Sequence, residues 1–492
     1  MPTFTPPALN LGATLPVLIV AGWATILLLI DLLIPRERTR WTGILAALGV
    51  LVALVIAIAQ WNSVRAGQGM SAFGEMLVVD PFAALLNIII LVAALISILF
   101  SLDYLYKADI VRGEYYPLLL FSISGMMLMA MAADLIVVFL ALELLSIPLY
   151  ILSGFARPRP DSEESAMKYF LLGAFSSAFL IYGIALVYGA TGSTMLSRVM
   201  AAVHAGAMGN AYLLIGAGLI LVGLSFKVAA VPFHMWTPDV YEGAPTSVTG
   251  FMSVGAKAGG FAAMLRIFLA AFPALAADWV PAVAVISALT MILGNFVALA
   301  QSNIKRMLAY SSIAHAGYIM MAVAAGGFPQ AAGATSAALF YLLTYAFTNL
   351  GAFAVVVAVE REYGRGVGLN DYAGLAAQRP WLALAMAFFM LSLTGVPPTA
   401  GFTAKLYVFR ATLEAGLLGL AIIGVLTSVI SAYFYLRVVV IMFMREGSAT
   451  AELRPALSLA IGLTALGTLI LGIAPEWLFR VAQTLQPILP GS

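Results

Sequence analysis

The sequence predicts an all-α polytopic membrane protein. Three observations carry that reading. Only 9% of the 492 residues are charged and 63% are hydrophobic, with a mean hydropathy of +1.04. A soluble domain carries about 25% charged residues. About fourteen stretches reach the roughly 20 apolar residues that a membrane helix needs. They run without the apolar/polar alternation of a membrane barrel. Such a composition excludes an ordinary globular enzyme, a nucleic-acid binder and a disordered chain.

The expected spans are 13–34, 41–61, 81–102, 115–133, 135–155, 166–190, 211–231, 244–271, 277–300, 307–326, 334–359, 381–409, 415–443 and 456–482. The first is too long for a signal-peptide core and has no Lys or Arg before it, so it reads as a retained helix. Only Asp134 and its neighbours divide the fourth from the fifth. The whole chain, 1–492, reads as one membrane domain. Cysteine is absent, which removes disulfides, zinc–thiolate sites and cysteine-ligated iron–sulfur clusters. Three histidines leave little for haem or metal chemistry.

Lys and Arg placement sets the orientation. With an outer N-terminus, fourteen fall in inside loops, among them Arg36, Arg38, Arg40, Arg157, Arg306 and Arg361. Five fall outside: Arg65, Arg198, Arg266, Arg410 and Arg480. Both termini are therefore expected on the periplasmic side.

Charges inside spans are the informative residues, because each costs roughly 2.5–3.5 kcal/mol at mid-bilayer. Glu143 lies near the middle of the fifth span, Lys227 in the seventh, Lys257 in the eighth and Lys405 in the twelfth. His315 lies in the tenth. Gly255, Gly259 and Gly260 around Lys257 permit close helix approach. Pro232 breaks the seventh span and removes the amide that would bond the Val228 carbonyl. Pro397 and Pro398 do the same in the twelfth. Paired broken helices are a pointer to a transport site. They stand five spans apart, and a five-helix repeat must invert in its second copy. Residues 1–114 are then three leading helices, 115–272 repeat one (spans 4–8), 273–445 repeat two (spans 9–13), and 446–492 the last helix.

The bland alternatives are specific. Glu143 could serve an ion pair that only fixes packing, and the lysines could snorkel. Lys168, beside Asp161, Glu163 and Glu164, reads equally well as a surface residue, and His234 as structural. The functional alternative rests on physics. Desolvation disfavours a buried ammonium and a nearby carboxylate favours it, so lysine becomes a proton carrier controlled by its neighbour. If a Glu143–Lys227 pair opens, Lys227 can pass its proton onward, and His315 and ordered water could relay it to Lys405. Gly364-Arg-Gly-Val-Gly368 lacks the spacing of a nucleotide loop, and no P-loop is present.

Four segments carry a family resemblance: Gly223–Thr246 (GLSFKVAAVPFHMWTPDVYEGAPT), Leu140–Tyr150, Asn303–His315 and Gly401–Lys405. They resemble the antiporter-like membrane subunits of proton-pumping NADH-quinone oxidoreductase (respiratory complex I). The resemblance spans nearly the whole chain and is nearest the N-type. M-type subunits usually carry Glu at the Lys405 position, and L-type subunits continue into a long lateral helix. It implies fourteen helices with inverted repeats, and a proton relay through Glu143, Lys227, Lys257, His315 and Lys405. It also implies no cofactor in this chain, with NAD, FMN, iron–sulfur clusters and quinone in partner subunits. The expected partners are neighbouring membrane-arm subunits and the lipid bilayer, with no nucleic acid, in a bacterial inner membrane. The alternative from the same residues is an Mrp-type cation/proton antiporter subunit.

Overall fold

The computed structural model describes residues 9–35, 39–65, 69–207, 209–361, 364–476, 479 and 485–489. Arg36, Arg38 and Arg480, used above for orientation, lie outside the described residues.

Helices α1 (Leu15–Asp31), α2 (Arg40–Val64) and α3 (Pro81–Lys107) lead the chain. A short antiparallel hairpin of β1 (Met70–Ala72) and β2 (Leu77–Val79) joins α2 to α3. Then come α4 (Tyr115–Met131), α5 (Leu135–Ser153), α6 (Pro160–Thr191), α7 (Leu196–Ala202), α8 (Ala211–Val228), α9 (Trp236–Gly243) and α10 (Thr246–Leu265). The next group is α11 (Ala276–Leu299), α12 (Ile304–Ala325), α13 (Ala334–Val359), α14 (Leu375–Gln378), α15 (Pro380–Thr394), α16 (Ala400–Glu414) and α17 (Leu418–Met444), followed by α18 (Pro455–Ile473). Among the described residues, eleven helices are long and apolar enough to cross a membrane, and α1, α4 and α15 are shorter apolar helices.

Local chemistry explains the boundaries. Asp134 does separate the fourth and fifth spans. It caps α5 by accepting from the Ile136 amide at 2.8 Å and is itself held by Thr194 Oγ1 at 2.7 Å. α6 starts six residues earlier than expected. Pro160 stands at the helix start, and Asp161 and Glu163 lie in the first turn, where the helix dipole favours acids. Their charge made that turn look like loop.

The bundle has an inside and an outside. The apolar windows of α10, α12 and α13 are 89%, 94% and 89% buried, against 33% for α6 and α18. The first three therefore form the centre and the last two face outward. α6 and α8 touch through glycines. A Cβ on Gly183 would meet the Gly216 carbonyl at 2.8 Å, and one on Gly216 would meet the Gly183 carbonyl at 2.9 Å. Only hydrogen fits at that crossing.

Arg266 corrects the sequence reading. It was counted as an outer-side loop charge, yet it is fully buried. Its two terminal nitrogens grip both oxygens of Asp80 at 2.9 Å each. The same two nitrogens also donate to the carbonyls of Ala130 (3.0 Å) and Ile488 (2.7 Å). The Ile488 amide returns to Asp80 at 2.8 Å, so the C-terminal segment straps the pair. Removing one partner of a buried pair costs about 3–5 kcal/mol, because the other is left unpaired. Asp80→Ala should therefore lower the thermal unfolding midpoint clearly. Asp80→Ala with Arg266→Leu should lower it less than Asp80→Ala alone. Equal losses in the two variants would contradict the bidentate pairing.

Candidate functional site: buried cations at two broken helices

The first break follows α8. The helix stops at Val228, four residues before Pro232, and Ala229 turns left-handed with φ 63°. The freed backbone groups find partners inside the protein. The Ala230 amide donates to Ser225 (2.8 Å), the Val231 amide to Thr290 Oγ1 (2.9 Å), and Trp236 Nε1 to the Phe226 carbonyl (3.1 Å). That satisfaction is what allows an interruption in a bundle of this kind.

Lys227 sits in the last turn of α8, where the helix dipole favours a cation. It is 2% exposed. Its ammonium donates to Ser146 Oγ on α5 at 2.8 Å and to Tyr169 OH on α6 at 3.3 Å. Tyr169 is fixed in turn by stacking on Trp236, with ring centres 4.3 Å apart. Gly260 of α10 lies against this turn, since a Cβ there would be 2.8 Å from Val228 Cγ1.

Glu143 is half-buried and accepts from Ser177 Oγ at 2.5 Å. The direct Glu143–Lys227 pair expected from sequence is not formed: among the described residues no ion pair joins them. The reason is geometric. Ser146 stands one turn beyond Glu143 on the same face of α5 and takes the ammonium itself. A small cavity of about 10 Å³, room for a single water, is lined by Ser146, Ser176, Ser177 and Lys227. Carboxylate and ammonium thus face each other across hydroxyls.

Lys257 lies on α10, 2% exposed, and its ammonium donates to the Ser312 carbonyl of α12. His315 lies one turn further along α12. Both ring nitrogens meet tyrosine hydroxyls: Nδ1 with Tyr341 of α13 at 2.7 Å, Nε2 with Tyr435 of α17 at 3.2 Å. Tyr435 also contacts Ser311 Oγ at 2.5 Å. A neutral imidazole has one donor and one acceptor nitrogen, so the two hydroxyls must point in opposite senses.

The second break lies between α15 and α16. α15 ends at Thr394, and Gly395 adopts φ 90°, a conformation open to glycine. Lys405 on α16 reaches back to the exposed helix end. It donates to the carbonyls of Leu393 (3.0 Å) and Thr394 (2.7 Å) and to Ser428 Oγ of α17 (2.8 Å). Its ammonium lies 5.0 Å from the Tyr318 ring centre, near enough for a cation–π contact. A cleft of about 320 Å³ between α16 and α17 leads to it.

The remaining candidates lie apart from this row. Lys168 is 40% exposed and pairs with Glu164 (2.7 Å) and Asp239 (2.6 Å). Arg306 joins the same cluster through Asp239 and Glu242, both at 2.8 Å. His234 is half-buried within the first break. Pro232, Pro397 and Pro398 all fall in the two interruptions. Sequence reasoning missed Ser146, Ser177, Tyr169, Tyr341 and Tyr435. The spacing of Ser146 from Glu143 was a usable signal. Tyr341 and Tyr435 stand 26 and 120 residues from His315 and left none.

The family described as NADH:quinone oxidoreductase/Mrp antiporter, TM matches residues 132–431. NADH-quinone oxidoreductase subunit N of Chloroflexus aggregans is 49% identical over 497 residues, covering 100% of both chains. The chain belongs to the subunit N family. A solved chain of respiratory complex I from Thermus thermophilus with bound aureothin is similar to this subunit N family member at 36% identity and TM-score 0.80. The match covers 95% of this chain and 99% of that one. A chain of the Mrp complex from Dietzia sp. shares the fold at TM-score 0.85 and 23% identity, covering 97% of each. The membrane-embedded, antiporter-like fold expected from sequence is therefore established.

Ser146→Ala should lower thermal stability by about 1.5–3 kcal/mol, the worth of a hydrogen bond to a charged group. Ser146→Thr should restore most of it. An unchanged unfolding midpoint in Ser146→Ala would mean that Lys227 is held elsewhere.

Proposed function

We propose that this chain is a proton-translocating membrane subunit of NADH-quinone oxidoreductase. The observation that carries the proposal is the buried row of three lysines and a histidine centred on two broken helices. Proton charge would pass from the Glu143 side through Lys227, Lys257 and His315 to Lys405. Hydroxyls and single waters would bridge the gaps. Lys168 and His234 would serve packing at the helix ends rather than the relay. One charge moved against 100 mV requires about 2.3 kcal/mol. Redox chemistry in partner subunits, which would hold NAD, FMN, iron–sulfur clusters and quinone, would supply it.

The same reading assigns the chain to the membrane arm in a bacterial inner membrane, beside neighbouring membrane subunits, with both termini periplasmic. Eleven long and three shorter apolar helices would make fourteen passages, with α16 completing the passage that α15 begins. Residues 115–272 and 273–445 would be the inverted repeats, each with one break.

Lys227→Met should abolish proton uptake by inside-out vesicles oxidising NADH while the complex still assembles. Unchanged uptake would sink the relay. Tyr435→Phe removes one hydroxyl between Ser311 and His315. It should slow uptake about tenfold, as a barrier increase near 1.4 kcal/mol implies, and lower stability by about 1–3 kcal/mol, because His315 Nε2 and Ser311 Oγ lose a buried partner. Sodium-dependent uptake without NADH would favour the Mrp-type alternative.

A further inference from the structure

A cavity of about 10 Å³, room for one water, lies beside His315. Tyr341, Thr344, Ser392 and Ala404 are among its walls. Thr344 Oγ1 is buried there and has no hydrogen-bond partner among the described residues. A buried hydroxyl in that state is costly. A water in the cavity would give it a partner and place a proton carrier beside the imidazole.

Three rings close one end of this cavity. Phe340 stands one turn before Thr344 on α13, and Tyr407 one turn after Ala404 on α16. Phe340 meets Tyr407, and Thr344 faces Ala404 across the cavity, so the two helices run in opposite directions. Both rings therefore lie on the same side of the cavity. Phe340 is six residues into α13, about 9 Å from the helix start at 1.5 Å per residue. The third ring is Phe479. It stacks on Tyr407 with ring centres 3.7 Å apart and planes 20° apart. Phe340 turns its edge to both, at 5.3 Å to Tyr407 and 6.4 Å to Phe479. Stacked and edge-to-face rings are the favoured geometries.

Phe479 comes to this trio from another part of the chain. It follows α18, which ends at Ile473. The same C-terminal segment brings Ile488 to the Asp80–Arg266 pair, where α3 begins and α10 ends. Phe340 and Tyr407 are carried by packed helices, whereas Phe479 reaches them from the end of the bundle. We propose that Phe479 is the seal at this end of the His315 cavity, keeping bulk water off the imidazole while one bound water stays inside. An open file of water there would let protons leak between His315 and the solution, and closing a site prevents such leakage. That purpose rests on the proposed relay; the closure itself does not. The proposed orientation makes this the periplasmic end.

The chain has no cysteine, so Thr344→Cys places a single thiol in the cavity. The intact complex carrying it is treated, in right-side-out vesicles, with a charged, membrane-impermeant thiosulfonate. Mass spectrometry follows the modified peptide. The thiol should react about tenfold faster when Phe479→Ala is added, because one aromatic pair is worth about that factor. Phe479→Tyr keeps a ring and should leave the thiol as slow as in the parent. Equal rates with and without the ring would overturn the proposal. So would a Phe479→Tyr complex as reactive as Phe479→Ala, or an acceleration seen only from the opposite face in inside-out vesicles. Proton uptake by inside-out vesicles separates the seal from the relay. Phe479→Ala should lower the gradient while NADH oxidation continues. Faster labelling with an undiminished gradient would uphold the seal and count against His315 in the relay.

Discussion

A buried ammonium must be given oxygens, and this constraint organises the bundle. An unbroken helix offers only the second lone pair of each carbonyl, because each already accepts from the amide four residues on; Lys257 uses one such carbonyl, that of Ser312 within α12. A helix end has several. Lys405 takes two carbonyls at the end of α15, and that end exists because Gly395 turns the chain out of the helix. Gly401 then lets α16 pass the Ser392 carbonyl, where a Cβ would sit only 1.8 Å away. Lys227 occupies the corresponding last turn of α8 and takes hydroxyls from α5 and α6. The breaks, the glycines and the central serines are parts of one solution to ion desolvation.

The protein buries charge in two ways, and the difference is chemical. Asp80 and Arg266 form a closed bidentate pair, with both terminal nitrogens of the guanidinium on the carboxylate oxygens. Such a pair has nowhere to send a proton, and arginine keeps its own. It ties α3, α10 and the C-terminal segment together. The lysines are held by hydroxyls and carbonyls instead. These oxygens hold the ammonium without a compensating negative charge. Ser177 and Ser146 stand between Glu143 and Lys227.

Much of this was legible in the sequence because a bilayer punishes exceptions. Apolar runs of helical length marked the spans, and the prolines marked both interruptions. Glu143, Lys227, Lys257 and Lys405 were visible as charges in segments that should have none. What the sequence did not reveal depends on contacts between distant helices. Tyr341 and Tyr435 look like ordinary aromatic residues until α13 and α17 bring them to His315. Arg266 resembles a loop cation because Asp80, its partner, lies 186 residues away. The start of α6 was misplaced because dipole-stabilised acids and loop acids have the same composition.

The order of the buried groups across the bundle follows from packing. α5 and α8 meet at Ser146 and Lys227, and α8 and α10 meet where Gly260 approaches Val228. α10 and α12 meet at Lys257 and Ser312, and α12 and α16 meet where Lys405 lies over Tyr318. Each step crosses from one helix to the next rather than climbing along one. Glu143, Lys257 and His315 each lie near the middle of their helices, so the row runs across the bundle, along the membrane plane. A pore through the bilayer would place its groups at successive depths and need no such sequence of helix contacts. A lateral row suits energy arriving from the side, where partner subunits would adjoin. In the proposed relay, a charge entering at the Glu143 end would alter the field at Lys227 first, and each later transfer would depend on the one before it.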